Sequence, residues 1–201
     1  MVVQIQEDVR ARLMREALAL FVARGYAATT VREIVAAAGV TKPVLYYYFR
    51  NKEGLYLEIM EGIGSLFDRR IREVGTVAGP VRQRIIHLLT LIFDSACENL
   101  PAVRLAYAIY FGPPQGAPFI DFNRFFDVML EMVTALIHEG IGSGEIRECD
   151  RQTLAWSLVG GYNTILEEQV GRTEPRVGRE TLVSLLNTVL DGVASEKGAQ
   201  E

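Results

Sequence analysis

Three consecutive tyrosines and two nearby lysines mark the stretch TKPVLYYYFRNK as a candidate binding element. In a helix, which turns about 100° per residue, Leu45 faces one side while Tyr46 and Tyr47 face the other. Three adjacent residues span about 200°, so the tyrosines cannot all be buried, and we expect Tyr48 to pack against the core. Two large aromatic side chains on an outer face predict a binding partner.

Duplex DNA is a suitable partner for this outer face. Phenol hydroxyls bind phosphates, and aromatic rings pack on sugars and thymine methyl groups. Lys42 lies at the N-terminus of the same helix, where free amides and the helix dipole favour an anion. Residues 1–52 have a net charge of +4 and residues 53–201 a net charge of −8. A basic segment joined to an acidic one is typical of a nucleic-acid-binding module, although solvated surface charge gives the same pattern.

Two short predicted helices position the tyrosines. Thr30 and Glu33 form a capping box that begins the first of them, and Gly39 ends it. The tyrosine helix begins directly after Thr41, its expected N-cap, so a turn of only three residues separates the two. This spacing predicts a helix-turn-helix. Asn51 is then the expected N-cap of a long fourth helix.

Helical periodicity continues through the rest of the chain, and strand signals are scarce. Breaks rich in glycine and proline divide the 201 residues into about nine helices, which predicts an all-α protein. We expect the first helix over Glu7–Arg24, the eighth over Arg151–Val170 and the ninth over Arg179–Ala194. The last residues, 195–201, are expected to fray.

The sequence offers little for catalysis, metal binding or export. It contains no GxSxG, Walker-type or HExxH motif, so we do not expect an enzyme. Cys97 and Cys149 form no CxxC pair, which excludes a disulfide framework and favours a cytoplasmic location. With His138, Cys149 makes no cluster of metal ligands, so no metal or other cofactor is expected. No stretch has the ~18 apolar residues of a spanning helix, and we expect no signal peptide.

Several motifs follow one another over residues 13–60, and their order is more specific than any one of them. The stretch reads LMREALALFVARGYAATTVREIVAAAGVTKPVLYYYFRNKEGLYLEIM, with F-x-x-x-G-Y, T-T-V-R-x-I, A-G-V-T and L-Y-x-x-F-x-x-K in turn. It resembles the N-terminal DNA-binding domain of TetR-family transcriptional regulators. The resemblance covers about a quarter of the chain. It departs from the family pattern at Val35, where alanine is usual, and at Gly54, where an acidic residue is common.

The resemblance implies a helix-turn-helix DNA-binding domain over residues 1–52 and a ligand-binding and dimerisation domain over residues 53–201. The implied protein is a homodimeric repressor, released from a palindromic operator by a small, mostly apolar or aromatic effector. Arg32 is expected to reach a base, and Lys52 to bind a phosphate. The implied DNA contacts are Thr30, Arg32, Thr41, Lys42, Pro43, Val44, Tyr46, Tyr47, Tyr48 and Lys52.

Aromatic residues are frequent in the middle helices, and the resemblance implies an apolar ligand cavity there. The break at residues 112–118 is interpreted as the mouth of this pocket. On the fifth helix, His87, Thr90, Asp94 and Cys97 form a polar stripe that faces either the pocket or solvent. The expected ligand-binding residues are Phe93, Tyr107, Tyr110, Phe122, Phe126, Met129, Trp156 and Tyr162.

Apolar stripes on the last two helices have two interpretations, an internal core or a four-helix dimer interface. The resemblance favours the interface, and Gly160 and Gly161 allow a close approach between helices. The predicted interface residues are Leu154, Leu158, Tyr162, Leu182, Leu185, Leu186, Val189, Leu190 and Val193.

Two alternatives to a DNA-binding regulator remain at this point. The chain could be a helical module that binds another protein through its tyrosines, or a small-molecule-binding protein without a DNA function. Salt-dependent binding to duplex DNA separates both from the leading hypothesis. The sequence leaves open the effector, the operator and the choice between repression and activation.

Overall fold

The computed structural model describes residues 8–74, 78–112 and 116–193. Within these ranges the chain forms nine α-helices and no strand, which confirms the all-α prediction. The helices are α1 (Val9–Arg24), α2 (Val31–Ala37), α3 (Lys42–Phe49), α4 (Lys52–Val74), α5 (Val81–Glu98), α6 (Leu100–Phe111), α7 (Asn123–Ser143), α8 (Arg151–Gly171) and α9 (Arg179–Asp191).

Most helix ends lie at the predicted caps. Thr30 and Glu33 form the predicted capping box of α2, and the Asn51 Oδ1 atom accepts a 2.7 Å hydrogen bond from the Gly54 N–H. Thr41 occupies the N-cap position of α3, but its side chain makes no capping hydrogen bond. The first helix begins at Val9, after the Asp8 N-cap, and the ninth ends at Asp191, so both are shorter than the predicted Glu7–Arg24 and Arg179–Ala194. The predicted frayed tail and the centre of the 112–118 break lie outside the described residues.

The described residues form two compact units. One contains those of Met1–Ser65 and Pro101–Ile120, and the other those of Leu66–Leu100 and Asp121–Glu201. This division differs from the predicted boundary at residue 52, because the beginning of α4 and most of α6 group with the N-terminal helices.

An aromatic cluster lies in the core of the first unit. The rings of Phe21, Tyr26 and Tyr56 are buried, with centroids 5.0 to 6.0 Å apart. Leu45 and Phe49 of α3 are buried as well, so the tyrosine helix is anchored through one side only. The other side of α3 is thereby left to solvent.

Packing within the second unit buries most of the residues that were predicted to form a dimer interface. Helices α5, α7, α8 and α9 pack on one another, and their contacts bury six of the nine predicted residues within this chain. A buried side chain has no surface to offer a second copy, so these six form internal core. They are Leu154, Leu158, Tyr162, Leu182, Leu186 and Leu190. The half-buried residues Leu185, Val189 and Val193 keep exposed surface.

The two adjacent glycines of α8 have different surroundings. A Cβ atom at Gly161 would overlap the Leu185 side chain, so glycine permits a close approach between helices here, as predicted, and the neighbour is α9 of the same chain. Gly160 has open space at the same position, and no neighbour requires its lack of a side chain. One glycine of the pair is therefore a packing residue.

The predicted polar stripe on α5 divides into separate contacts. The buried Thr90 hydroxyl donates a 2.8 Å hydrogen bond to the Ile86 carbonyl of its own helix. Asp94 accepts a 2.9 Å hydrogen bond from the Arg179 guanidinium and so joins α5 to α9. His87 is exposed. The stripe is neither a continuous pocket lining nor a uniformly solvated face.

Candidate nucleic-acid interface

A Schellman motif makes the tight turn between α2 and α3. Gly39 has a φ of +63°, a conformation that favours glycine. Its N–H donates to the Ala36 carbonyl at 3.2 Å, and the Val40 N–H donates to the Val35 carbonyl at 2.9 Å. These bonds end α2 sharply, and only residues 38–41 separate it from α3.

The outer face of α3 carries the tyrosines, as predicted. Tyr47 is 83% exposed and Tyr46 is 46% exposed, whereas Leu45 is fully buried. Thr41, Lys42 and Pro43 at the beginning of the helix are exposed, and Val44 is half-buried. The face presents phenol hydroxyls, an ammonium group and apolar ring surface together, which are the groups that bind a DNA groove.

Tyr48 lies partly outside the core, which corrects its expected packing. It is 37% exposed, and its ring meets that of Tyr47 at a centroid distance of 5.1 Å and an angle of 80°. Edge-to-face pairs of this kind restrict both rings. Tyr48 therefore supports Tyr47 on the outer face.

The beginning of α2 contains Arg32, which is exposed, and Thr30, whose side chain is hydrogen-bonded to Glu33 of the same helix. The Thr30 hydroxyl donates a 2.8 Å hydrogen bond to Glu33, which also accepts from the Thr30 N–H and from Arg24. These contacts, chiefly the Thr30 backbone bond, lower the pKa of Glu33. Arg32 is exposed on the same helix. Arg32 is thus available to a partner, whereas the Thr30 hydroxyl already has one.

Lys52 points into its own domain, which differs from the predicted phosphate contact. Its Nζ atom donates to the carbonyls of Tyr26 at 2.8 Å and Thr29 at 2.9 Å, and lies 4.1 Å from the centroid of the Tyr26 ring. Burial lowers the pKa of this ammonium group. Lys52 therefore ties the start of α4 to the α1–α2 loop.

A strained turn between α3 and α4 is the feature that sequence reasoning missed. Arg50 has φ +63° and ψ −41°, and the Asn51 N–H donates to the Phe49 carbonyl at 2.7 Å. This is a γ-turn, a conformation that costs a residue other than glycine about 1–3 kcal/mol. A Cβ atom at Gly54 would overlap the Phe49 carbonyl oxygen, which explains glycine at a position where the family commonly has an acidic residue.

The predicted ligand-binding residues are divided between the two units. Tyr107 and Tyr110 lie on α6 in the first unit, and the other six lie in the second. Of those six, Phe93, Met129 and Tyr162 are buried, and the Phe93 and Tyr162 rings are 6.5 Å apart in an edge-to-face arrangement. Phe122 and Phe126 are half-buried, and Trp156 is exposed.

An open cavity of about 560 Å³ lies at the beginning of α8. Of the predicted ligand residues, Trp156 lines it, together with Asp150, Gln152, Thr153 and Ser157. The described residues include no group of three or more His, Cys, Asp or Glu placed to hold a metal ion. Nor does any helix within the described ranges combine the length and apolarity needed to cross a bilayer.

Known proteins share both the helix-turn-helix and the fold. Residues 13–59 match the family described as bacterial regulatory proteins, tetR family. The transcriptional repressor KstR2 of Rhodococcus jostii is 36% identical over 101 residues, which are 50% of this chain and 48% of that protein. The transcriptional activator FasR of Mycolicibacterium smegmatis is 31% identical over 102 residues, 51% of this chain and 47% of the relative. The chain thus spans about half the length of the curated relatives it matches.

Solved structures extend the similarity in fold to nearly the whole chain. The TetR-family regulator PfmR of Thermus thermophilus superposes with a TM-score of 0.69 at 22% identity, over 90% of this chain and 97% of its own. The ketosteroid transcriptional regulator KstR2 of Mycobacterium tuberculosis gives a TM-score of 0.70 at 22% identity, over 98% and 100%. The helix-turn-helix is thus similar in sequence to that of the tetR family of bacterial regulatory proteins, and the arrangement of the helices is similar to that of solved TetR-family regulators.

Proposed function

We propose that this protein is a homodimeric repressor that binds a palindromic operator and leaves it when a small, mostly apolar effector binds. The observation that carries the DNA-binding part is the face of α3, where Tyr46 and Tyr47 are exposed beside Lys42 on a helix anchored by its opposite side. The similarity to the transcriptional repressor KstR2 of Rhodococcus jostii supports repression rather than activation. Residues 1–52 serve as the DNA-binding domain, and residues 53–201 bind the effector and the second copy.

The DNA contacts follow from the chemistry of the exposed groups. Arg32 reads a base, because a guanidinium group can donate two hydrogen bonds to guanine in the major groove. Lys42 and Thr41 lie at the N-terminus of α3, where an anionic phosphate is favoured. Tyr46 and Tyr47 pack on the groove wall, supported by Tyr48, Pro43 and Val44. Lys52 and Thr30 hold the domain in shape.

A dimer suits this interface because one recognition helix reads only a short half-site. Two copies related by a two-fold axis read half-sites about 34–36 Å apart on one face of the duplex. We propose that the dimer surface lies on α9 at Leu185 and Val189 and directly after it at Val193, because these residues keep exposed apolar surface after the single chain has formed its core.

The effector site is proposed among the aromatic side chains of the second unit. Phe93 and Tyr162 are paired edge to face, and the Phe126 ring lies 5.0 Å from that of Trp156. Such surfaces favour an apolar or aromatic molecule. The compared regulator named for a ketosteroid supports the same class of effector.

Selection of duplexes from random DNA, followed by binding assays on the enriched sequence, tests this function. We expect one palindromic sequence to be enriched and its binding to weaken steeply with salt. Tyr47→Ala is expected to reduce operator affinity about tenfold, with stability changed by less than about 0.5 kcal/mol because the side chain is exposed.

Tyr110→Ala is the matched control, since Tyr110 is 49% exposed on α6. It is expected to leave operator affinity unchanged. Failure to enrich any sequence would contradict the operator, and an unchanged affinity in Tyr47→Ala would contradict the role of the α3 face.

A further inference from the structure

The family resemblance implies that Lys52 contacts a DNA phosphate, but in the structure its side chain is directed into its own domain. The Lys52 ammonium group donates to two loop carbonyls and faces the Tyr26 ring. Two of its three protons are therefore used inside the domain. A duplex lying against α3 needs a different cation near the α3–α4 turn.

Arg50 is such a cation. It is exposed, and within the part of the chain that the structure describes its guanidinium group forms no ion pair or side-chain hydrogen bond. Two other arginines of the first unit do form one: Arg10 pairs with Glu58, and Arg24 with Glu33. Arg50 is thus free to bind an anion from outside the chain.

The strained backbone conformation at Arg50 indicates that the arginine side chain has a function at this position. It has the one positive φ among the non-glycine residues of the described ranges, within a turn that glycine would form with less strain. The bonds around it hold this turn from both sides: the Arg50 N–H donates to the Tyr46 carbonyl at 3.1 Å, and Asn51 caps α4. Strain of this kind concentrates at functional sites.

The position of Arg50 suits a phosphate. The eight residues of α3 make a helix about 12 Å long, and the major groove is about 12 Å wide, so a helix that lies across the groove has one end near each phosphate wall. Lys42 lies at one end of α3 and Arg50 follows the other. The C-terminal end of a helix repels anions unless a cation covers it. Arg50 supplies that cation.

We propose that Arg50 binds a DNA phosphate at the C-terminal end of α3 and that the strained turn is kept to hold its guanidinium group there. The proposal rests on the proposed operator-binding function. It makes α3 a helix with a phosphate-binding cation at each end, and it assigns Lys52 to the interior.

Binding of the full-length protein to a selected duplex and to a random-sequence duplex, measured across a salt series, tests the proposal. Arg50→Gln and Arg50→Lys carry the same backbone strain and differ in charge. We expect Arg50→Gln to lower the slope of log K against log salt by about 0.9 for each phosphate that is no longer neutralised, on both duplexes. Arg50→Lys is expected to keep a slope close to that of the wild-type protein.

Arg50→Gly separates the charge from the strain. We expect its melting temperature to equal or exceed that of the wild-type protein, while its salt slope falls as in Arg50→Gln. Equal slopes for Arg50→Gln, Arg50→Lys and wild type would overturn the proposal. Wild-type protein that binds neither duplex in a salt-dependent way would instead refute the operator-binding function itself.

Discussion

At the scale of single residues, Gly54 is a position where one added methyl group changes the sign of the expected effect on stability. Alanine replacing glycine inside a helix normally gains about 1 kcal/mol. At Gly54 the new Cβ atom would overlap the Phe49 carbonyl oxygen, so we expect Gly54→Ala to lower the free energy of unfolding. Gly62 on the same helix has open space, and Gly62→Ala is expected to show the normal gain. Urea unfolding of both variants provides the measurement; a gain of equal size at both positions would contradict the turn.

Lys52 is expected to affect stability more than DNA binding. Lys52→Met keeps the aliphatic stem and removes the ammonium group that donates to the Tyr26 and Thr29 carbonyls. Hydrogen bonds to charged groups contribute about 1.5–3 kcal/mol, so we expect unfolding at a clearly lower denaturant concentration. The salt dependence of DNA binding should stay at the wild-type slope. A reduced slope with unchanged stability would show that Lys52 binds phosphate after all.

At the scale of elements, helix ends were predictable because their signals are local. The capping box of α2 and the Asn51 cap of α4 involve side chains three residues from the amides they bind. The role of Lys52 was not predictable, since its partners are backbone carbonyls far earlier in the chain and any residue type supplies a carbonyl. The γ-turn at Arg50 was missed for a related reason: arginine is not a residue that signals a positive φ.

The apolar stripes of α8 and α9 illustrate a second limit of local patterns. Periodicity correctly placed Leu154 and Leu158 on one face of α8, and Leu182 and Leu186 on one face of α9. It cannot specify what covers that face, because a core within the chain and a second copy demand the same residues. In the structure, helices of the same chain bury these positions.

The segment between α8 and α9 is expected to loosen in acid. Glu168 accepts hydrogen bonds from Arg176 and pairs with Arg172 at 2.7 Å, and chiefly the Arg176 bond lowers its pKa from 4.5 to about 2. A carboxylate with a lowered pKa contributes stability above about pH 4.5, which is lost as the pH falls toward 2. We therefore expect hydrogen-exchange protection of residues 172–178 to decline over that interval.

Glu168→Gln provides the test of this assignment. The variant lacks the carboxylate, so its protection over residues 172–178 should be low at neutral pH and change little in acid. Glu167→Gln is the control at an exposed neighbour and should behave as the wild-type protein. Identical acid profiles for Glu168→Gln and wild type would rule out Glu168 as the titrating group.

At the scale of the whole molecule, we expect the effector to release the operator while the dimer stays intact. The proposed dimer residues lie on α9 and directly after it, whereas the proposed effector site takes Phe93 from α5, Phe126 from α7 and Tyr162 from α8. A tenfold loss of operator affinity requires a coupling free energy of only about 1.4 kcal/mol. Operator binding and sedimentation of one sample, with and without a ligand found by thermal-shift screening, provide the measurement.

Two results would contradict this mechanism in different ways. A ligand that stabilises the protein but leaves operator affinity unchanged would show that the two sites are not coupled. A ligand that splits the dimer would show that release proceeds through dissociation.

The chain contains one tryptophan, Trp156, and its ring lies 5.0 Å from Phe126 with 56% of its surface exposed. Fluorescence excited at the red edge of protein absorbance therefore comes from this one side chain on α8. An occupant that covers or moves the indole would shift its emission, whereas events confined to α3 would leave the spectrum untouched. The protein thus carries a built-in optical probe of its second unit, which allows effector titrations without any label.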